Sequence, residues 1–102
     1  MTMARLHPRD RYDAILGVAL ALSESVGYAH ITRAEVAAAA GVSPALVSWY
    51  LGTVPQMRAA VMHAAVKNAR SLSVIAQGIT ARDPVALRAP LWLRAQALST
   101  LA

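Results

Sequence analysis

Apolar residues recur at intervals of three and four along most of the chain, which is the spacing of one buried face of an α-helix. The first such series is preceded by Pro8, which suits a first helical turn, and is followed by Gly27, which supplies a stop. This pattern predicts a first helix over residues 8 to 26. Its apolar positions are Tyr12, Ile15, Leu16, Ala19, Leu22 and Val26.

Capping signals predict two short helices directly after the first. Thr32, followed three residues later by Glu35, forms a capping-box signature that opens a helix over residues 33 to 40. Ser43, with a proline after it, then opens a third helix over residues 44 to 51. A glycine follows each helix and suits the left-handed turn that ends it.

A fourth, long helix is predicted from the same kind of signal. Thr53, Pro55 and Gln56 repeat the cap, the first-turn proline and the capping box, and open a helix over residues 54 to 77 that ends before Gly78. Its expected apolar face is Met57, Val61, Ala65, Leu72, Ile75 and Ala76.

A last helix is predicted to open at Asp83 and Pro84. Pro90 lies inside this segment, where it should either kink the helix or mark its real beginning. The apolar residues expected on one face are Leu87, Leu91, Leu98 and Leu101.

Length and composition favour one compact all-α domain. The chain has 102 residues, of which 57% are hydrophobic and 15% charged, so it has enough apolar surface for one core and too few residues for two. We expect an arm and a three-helix unit over residues 1 to 53, and a long helix plus a C-terminal helix over residues 54 to 102 that serve dimerisation.

The chain contains no cysteine, which excludes disulfides, thiolate nucleophiles and zinc–cysteine sites. Its longest uncharged apolar stretch, residues 14 to 22, is far shorter than the roughly 20 residues needed to cross a bilayer. The first residues lack the pattern of a secretory signal. We therefore expect a cytoplasmic, nucleoid-associated protein, with no membrane partner.

The positive charge of the chain is unevenly distributed. Ten Lys and Arg against five Asp and Glu give a formal net charge of +5, which favours a polyanionic partner, either nucleic acid or an anionic membrane surface. Residues 1 to 60 are nearly neutral, whereas residues 61 to 102 hold five basic residues against Asp83 alone. The later basic residues either form a solvated face or, with an arm at Arg5 and Arg9, attract phosphates non-specifically.

Residues 33 to 51 form the most informative segment. A short helix, a tight turn containing glycine and a second capped helix make a helix-turn-helix pattern, in which the second helix enters the DNA major groove. Capped helices joined by such turns also occur in bundles that never bind DNA. One of two adjacent aromatics must be partly exposed on so short a helix, which favours DNA binding. The outward residues are Ser43, Pro44, Ala45, Ser48, Trp49 and Tyr50.

The stretch over residues 40 to 52, Ala-Gly-Val-Ser-Pro-Ala-Leu-Val-Ser-Trp-Tyr-Leu-Gly, resembles the DNA-binding domain of TetR-type repressors. The similarity continues without gaps from about residue 11 to about residue 62, through positions such as Arg11, Gly27 and Glu35. The resemblance implies a helix-turn-helix repressor that binds double-stranded DNA.

By the same resemblance, residues 32 and 33 contact phosphates, residues 44 to 46 approach base edges, and residues 48 to 50 divide the two kinds of contact. From chemistry alone, Ser48 is the main side chain able to hydrogen-bond a base edge, so specificity is expected to depend partly on DNA shape. The DNA-binding candidates are Thr32, Arg33, Ser43, Pro44, Ala45, Leu46, Ser48, Trp49 and Tyr50.

Two features depart from the TetR pattern. Val54 and Pro55 stand where the family usually places a phosphate-binding lysine, so that contact is either lost or replaced by backbone N–H groups at the helix start. About 40 residues follow the similar segment, which we take as too few for the family's ligand-binding domain. We therefore expect no small-molecule effector.

The roles of the two aromatics remain open at this point. The Tyr50 hydroxyl is able to reach a phosphate oxygen while Ser48 faces the bases. The spacing equally allows Tyr50 to pack inward and Trp49 to contact the phosphate.

Other functions find weaker support. His7, His30 and His63 are far apart and form no metal-ligand motif, so we expect surface or capping roles for them. No nucleophile elbow or phosphate loop is present, and we expect neither an enzyme nor a cofactor. A helical protein-interaction module, an antirepressor or adaptor with a vestigial helix-turn-helix, is the main alternative. A basic amphipathic membrane helix over residues 84 to 101 is the third.

The sequence thus predicts a small, bacterial, phage- or plasmid-encoded transcriptional regulator, a repressor that binds a palindromic operator as a homodimer. The dimer is expected to form through the long helix and the last helix. Asn68 and Arg94 interrupt the apolar faces of these helices and, if those faces are dimer contacts, fix the pairing register.

Overall fold

The computed structural model describes residues 7 to 69 and 71 to 101, and every regular element within them is an α-helix. The all-α prediction is confirmed, as are the bounds of the first three helices. Arg5 of the predicted arm lies outside the described residues, and so does Arg70. The helices are α1 (Pro8–Val26), α2 (Arg33–Ala40), α3 (Pro44–Leu51), α4 (Val54–Asn68), α5 (Leu72–Thr80), α6 (Pro84–Leu87) and α7 (Leu91–Ser99).

The core lies between α1, α4 and the short helices packed against them. In the N-terminal half, α1 packs on α2 and α4, and α3 packs on α2, α1 and α4. In the C-terminal half, α5 packs on α4, α6 and α7. This arrangement follows from the periodic apolar positions of the chain. The fully buried large side chains are Ile15, Ile31, Val36, Val47, Met57, Val61, Met62, Val74, Ile75 and Leu93.

The prediction of one continuous helix over residues 54 to 77 is wrong, because the chain turns after Asn68 and starts a separate helix at Leu72. Ala69 adopts the left-handed conformation, with φ 49°, and its N–H bonds the carbonyl of Val66. The Ser71 hydroxyl then donates to the carboxylate of Glu24 on α1. The hydrogen bond from Ser71 to Glu24 therefore fixes the position of this break, because the Ser71 side chain makes no capping hydrogen bond to α5.

Gly78 does not end a helix as predicted but lies inside α5. A Cβ atom at this position would lie 2.4 Å from the Met62 Cε and 2.7 Å from the Ala86 Cβ. The glycine thus permits α4, α5 and α6 to approach closely.

The last predicted helix divides at Pro90, which precedes α7 and so marks its beginning. Leu93 and Ala97 are the buried residues of α7, and they face α5. The four leucines predicted to share one face, at positions 87, 91, 98 and 101, are exposed in this structure. The buried face of α7 instead contains Leu93 and Ala97, which a pattern based on leucine spacing overlooks.

Hydrogen bonds at Tyr28 tie the loop before α2 to the C-terminal half. The Tyr28 N–H donates to the Gln77 Oε1, 2.9 Å away. Burial raises the pKa of the Tyr28 phenol, and the Asp83 carboxylate, which accepts its hydrogen bond, raises that pKa further. Arg58 acts in the opposite direction. The phenol therefore remains a neutral donor at physiological pH and holds the loop against the start of α6.

In the part of the chain that the structure describes, no single helix has the length and hydropathy of a membrane span. The bent pair formed by α2 and α3 passes the same test by length and composition only.

Candidate nucleic-acid interface

The turn between α2 and α3 has the geometry of a helix-turn-helix. Gly41 adopts the left-handed conformation, with φ 72°. The Val42 N–H donates to the Ala37 carbonyl at 3.0 Å, and the Gly41 N–H to the Ala38 carbonyl at 3.4 Å. This pair of bonds closes the helix end as a Schellman motif. The chain bends by 109° between the two helices, within the range of about 90 to 120° that is typical of helix-turn-helix units.

Two buried residues fix the orientation of α3. Val47 and Leu51 face the core, so the opposite side of the helix faces away from the protein. The outward position of Ser43, Pro44 and Ala45 agrees with the sequence analysis, since all three are exposed. The Ser43 hydroxyl oxygen accepts from the Leu46 N–H at 3.1 Å, and Leu46 itself packs partly against the core. Leu46 therefore extends outward less than its neighbours do.

The two aromatic residues of α3 occupy different environments. The Trp49 side chain is 81% exposed and lies one turn after Ala45, near the centre of the outward face. Tyr50 is half-buried, and its ring packs edge-to-face against Tyr12 with 6.5 Å between centroids and 60° between planes. Of the two arrangements that the sequence left open, these environments agree with Tyr50 packing inward and Trp49 facing outward.

Arg33 joins the start of α2 to the end of α3. Its Nη1 donates to the Ser48 Oγ at 3.0 Å and to the Gly52 carbonyl at 3.4 Å. Both side chains are half-buried, so the guanidinium is held beside the outward face of α3. The sequence predicted these two residues as separate DNA contacts, and it indicated no part in the site for Gly52 or Tyr12. Each partner is too distant along the chain for a local motif to indicate the contact.

The hydroxyl of Thr32 is already engaged at the start of α2. It accepts from the Glu35 N–H at 3.1 Å and donates to the Glu35 Oε1 at 2.9 Å. A phosphate contact from this hydroxyl requires it to leave the carboxylate, whose negative charge opposes a phosphate at the same place. Thr32 is thus exposed, as expected, but in this structure it acts as a helix cap.

The start of α4 offers little replacement for the missing lysine. The capping box occupies the Thr53 N–H, which bonds the Gln56 Oε1 at 2.8 Å, and the Gln56 N–H, which bonds the Thr53 Oγ1 at 3.3 Å. The Met57 N–H bonds the Thr53 carbonyl, and Pro55 has no N–H. Among the amides of this first turn, only that of Val54 remains for a phosphate.

A groove of about 1080 Å³ lies between α1 and α4, apart from the outward face of α3. Its walls combine acidic Asp13 and Glu24 with basic His63 and Lys67, a mixture that does not favour a phosphate backbone. His7 caps α1, while His30 and His63 are exposed. Among the described residues no group of three potential ligands could hold a metal ion.

The outward face of α3, with Arg33 beside it, is therefore the candidate interface. Comparison of the chain with protein-family models, with curated proteins and with solved structures found no match.

Proposed function

We propose that this protein is a sequence-specific DNA-binding transcriptional regulator, a repressor that binds a palindromic operator as a homodimer. Its helix α3 enters the major groove, and α2 lies across the backbone. The observation that carries the proposal is the helix-turn-helix bend of 109° combined with an α3 whose outward face presents Trp49 at 81% exposure.

The exposure of Trp49 supports a binding role for this face. Tryptophan is highly buried on average, so an indole that is 81% exposed on a packed helix suits a contact surface. DNA offers both an apolar surface, in sugars and thymine methyl groups, and phosphate oxygens that accept from the indole N–H. In this proposal Trp49 contacts the backbone and packs on the sugar, independently of sequence.

The hydrogen bond from Arg33 prepares Ser48 for base recognition. Because the Arg33 Nη1 donates to the Ser48 Oγ, the hydroxyl proton of Ser48 must point elsewhere. The hydroxyl is thus oriented as a donor toward acceptors such as the N7 or O6 of guanine. In this proposal the other N–H groups of Arg33 bind a phosphate.

A helical adaptor with a vestigial helix-turn-helix is the second candidate. The observation that favours it is the Glu35 carboxylate bonded to Thr32, together with the nearly neutral charge of the chain up to residue 60. A polyanion is attracted weakly to such a surface. The two candidates differ in whether Trp49 contacts DNA or protein.

The experiment that tests the proposal starts with selection of bound sequences from random DNA by the full chain. Fluorescence anisotropy then compares the selected operator with random DNA of equal length. We expect Trp49→Ala to weaken binding to both DNAs by about five- to 150-fold, since an aromatic contact to nucleic acid is worth about 1 to 3 kcal/mol. Tyr50→Phe should leave both affinities close to the original, because its ring packs on Tyr12.

Val26→Ala is the matched control, since Val26 is an exposed apolar residue at the end of α1, outside the helix-turn-helix. It should leave DNA affinity unchanged. If no sequence is enriched by the selection, and if Trp49→Ala binds random DNA as the original chain does, the regulator proposal fails and the adaptor is favoured.

A further inference from the structure

The groove between α1 and α4 takes no part in the proposed DNA contact, which lies on α3. The two helices begin at the same end of the groove, because the Tyr12 ring near the start of α1 packs against Tyr50, shortly before α4. They also finish at the same end, where Ser71, shortly after α4, donates to Glu24 near the end of α1. The groove therefore runs lengthwise along both helices.

Small residues keep the groove open on both helices. Its lining includes Gly17 and Ala21 on α1, and Ala60 and Ala64 on α4. A Cβ atom at Gly17 would meet no neighbouring atom within 4 Å, so the packing of this chain does not require a glycine there. Glycine inside a helix is destabilising relative to alanine. A second backbone that approaches α1 closely at this point gives the glycine a role.

The side of α4 that lines the groove is distinct from the side that packs in the core. Met57 and Val61 belong to the face that the sequence predicted as a dimer contact, and both are fully buried within the monomer. His63 and Lys67, in contrast, line the groove and are exposed. The groove thus presents a polar and small-residue side of α4 that the apolar periodicity of the sequence does not indicate.

Opposite charges line the two walls of the groove. The α1 wall contributes Asp13 and Glu24, the α4 wall contributes His63 and Lys67, and all four side chains are exposed. A nucleic acid or an anionic lipid surface has charge of one sign and is repelled by the acidic wall. A polypeptide helix can carry a basic edge and an acidic edge on either side of an apolar stripe. Such a helix is complementary to both walls at once.

We propose that the groove binds an amphipathic α-helix of a partner protein. From Gln56 to Lys67 the groove extends over eleven positions at about 1.5 Å each, or roughly 17 Å, which suits about three helical turns. The apolar stripe of the partner helix packs on Gly17 and the alanines, with the i, i+3, i+4 and i+7 spacing of a helix in a groove. Its basic edge faces Asp13, and its acidic edge faces Lys67. This contact lies beyond the proposed function and does not depend on it.

A fluorescent, lactam-stapled helical peptide of about fifteen residues is the probe. It has leucine and alanine along one stripe, lysine along one edge and glutamate along the other. We expect fluorescence anisotropy to show that it binds the full chain, and Gly17→Gln should weaken binding by at least about tenfold, because the added side chain blocks the close approach. Ser25→Gln is the matched control, since Ser25 is exposed on α1 outside the groove lining and should leave binding unchanged.

Reversal of the charge at Lys67 gives a second measurement that does not depend on steric blocking. Lys67→Glu makes an acidic residue stand on each wall, so the mixed-edge peptide should bind about fivefold more weakly, which is the scale of an exposed ion pair. A second peptide, with lysine on both edges, should bind this variant more tightly than it binds the original chain. The preference between the two peptides therefore reports the charge of the α4 wall.

Three results overturn the proposal: no binding of the mixed-edge peptide, equal binding by Gly17→Gln, or a peptide preference that Lys67→Glu leaves unchanged. Self-association of the chain that Gly17→Gln disrupts and Ser25→Gln does not would assign the groove to a second copy, which also overturns it. Circular dichroism and urea unfolding check that each variant remains folded. None of these readouts uses DNA, so this inference and the proposed function fail separately.

Discussion

The hydrogen bond between Arg33 and Ser48 turns two DNA-contacting candidates into one unit. Ser48→Ala removes a base contact and also releases the guanidinium, so operator affinity should fall by about 1 to 3 kcal/mol. Arg33→Lys retains the charge but loses the Nη1 group that donates to both Ser48 and Gly52, and it should weaken binding to operator and random DNA alike. In the double variant the losses should fall short of additive by about 0.5 to 2 kcal/mol.

A double-mutant cycle on operator affinity, measured by anisotropy, checks this coupling. Urea unfolding of the same four proteins separates a loss of binding from a loss of folding. Additive effects on binding would mean that the two residues contact DNA independently, as the sequence analysis assumed.

The role of a residue could be predicted from the sequence where it depends on a partner only a few positions away in the chain. Ser43 and Thr53 cap helices as expected, because a cap depends on an amide three residues away. The partner of Arg33 lies fifteen residues further along the chain, on another helix. Only the fold brings those two side chains together, so the sequence suggested the positions of a site without its internal hydrogen bonds.

At the scale of helices, two glycines should respond oppositely to the same substitution. Gly78→Ala forces a methyl group against Met62 and Ala86, and this overpacking should exceed the gain in helix propensity. We expect a net loss of about 1 to 2 kcal/mol in unfolding free energy. Gly17→Ala lies on α1 with no atom within 4 Å of the new Cβ, and it should gain up to about 1 kcal/mol.

Urea unfolding of the two variants and the original chain measures this difference. A stabilised Gly78→Ala would show that α4, α5 and α6 are not held as closely as the structure has them. The Gly17→Ala variant controls for helix propensity, because both glycines lie inside helices.

Helix starts were easier to predict than helix ends. A start at residue 33, 44 or 54 is signalled by a cap within the local sequence. The end of α4 uses an alanine in the left-handed conformation, and a bond from Ser71 to Glu24 supports it. At Gly78 the sequence contains a typical stop residue, but the structure uses it for close packing. Both errors come from tertiary contacts that override local preference.

For the whole molecule, the distribution of charge sets how DNA binding should depend on salt. The helix-turn-helix half is close to neutral, and the start of α4 adds one free amide in place of a lysine. Each phosphate contact contributes about −0.9 to the slope of log affinity against log salt concentration. A repressor with few such contacts has a shallow slope, so specificity must come from the face of α3 and from DNA shape.

The homodimer of the proposed function, together with the outward α3 helices, predicts the form of the operator. In a two-fold dimer the two α3 helices should enter successive major grooves, with half-sites about 34 Å apart on one side of the DNA. Inserting about half a helical turn between the half-sites should reduce binding to the level of a single half-site, because one α3 then faces the wrong side of the duplex. Footprinting and anisotropy on both DNAs measure this, and a footprint on one asymmetric half-site would contradict it.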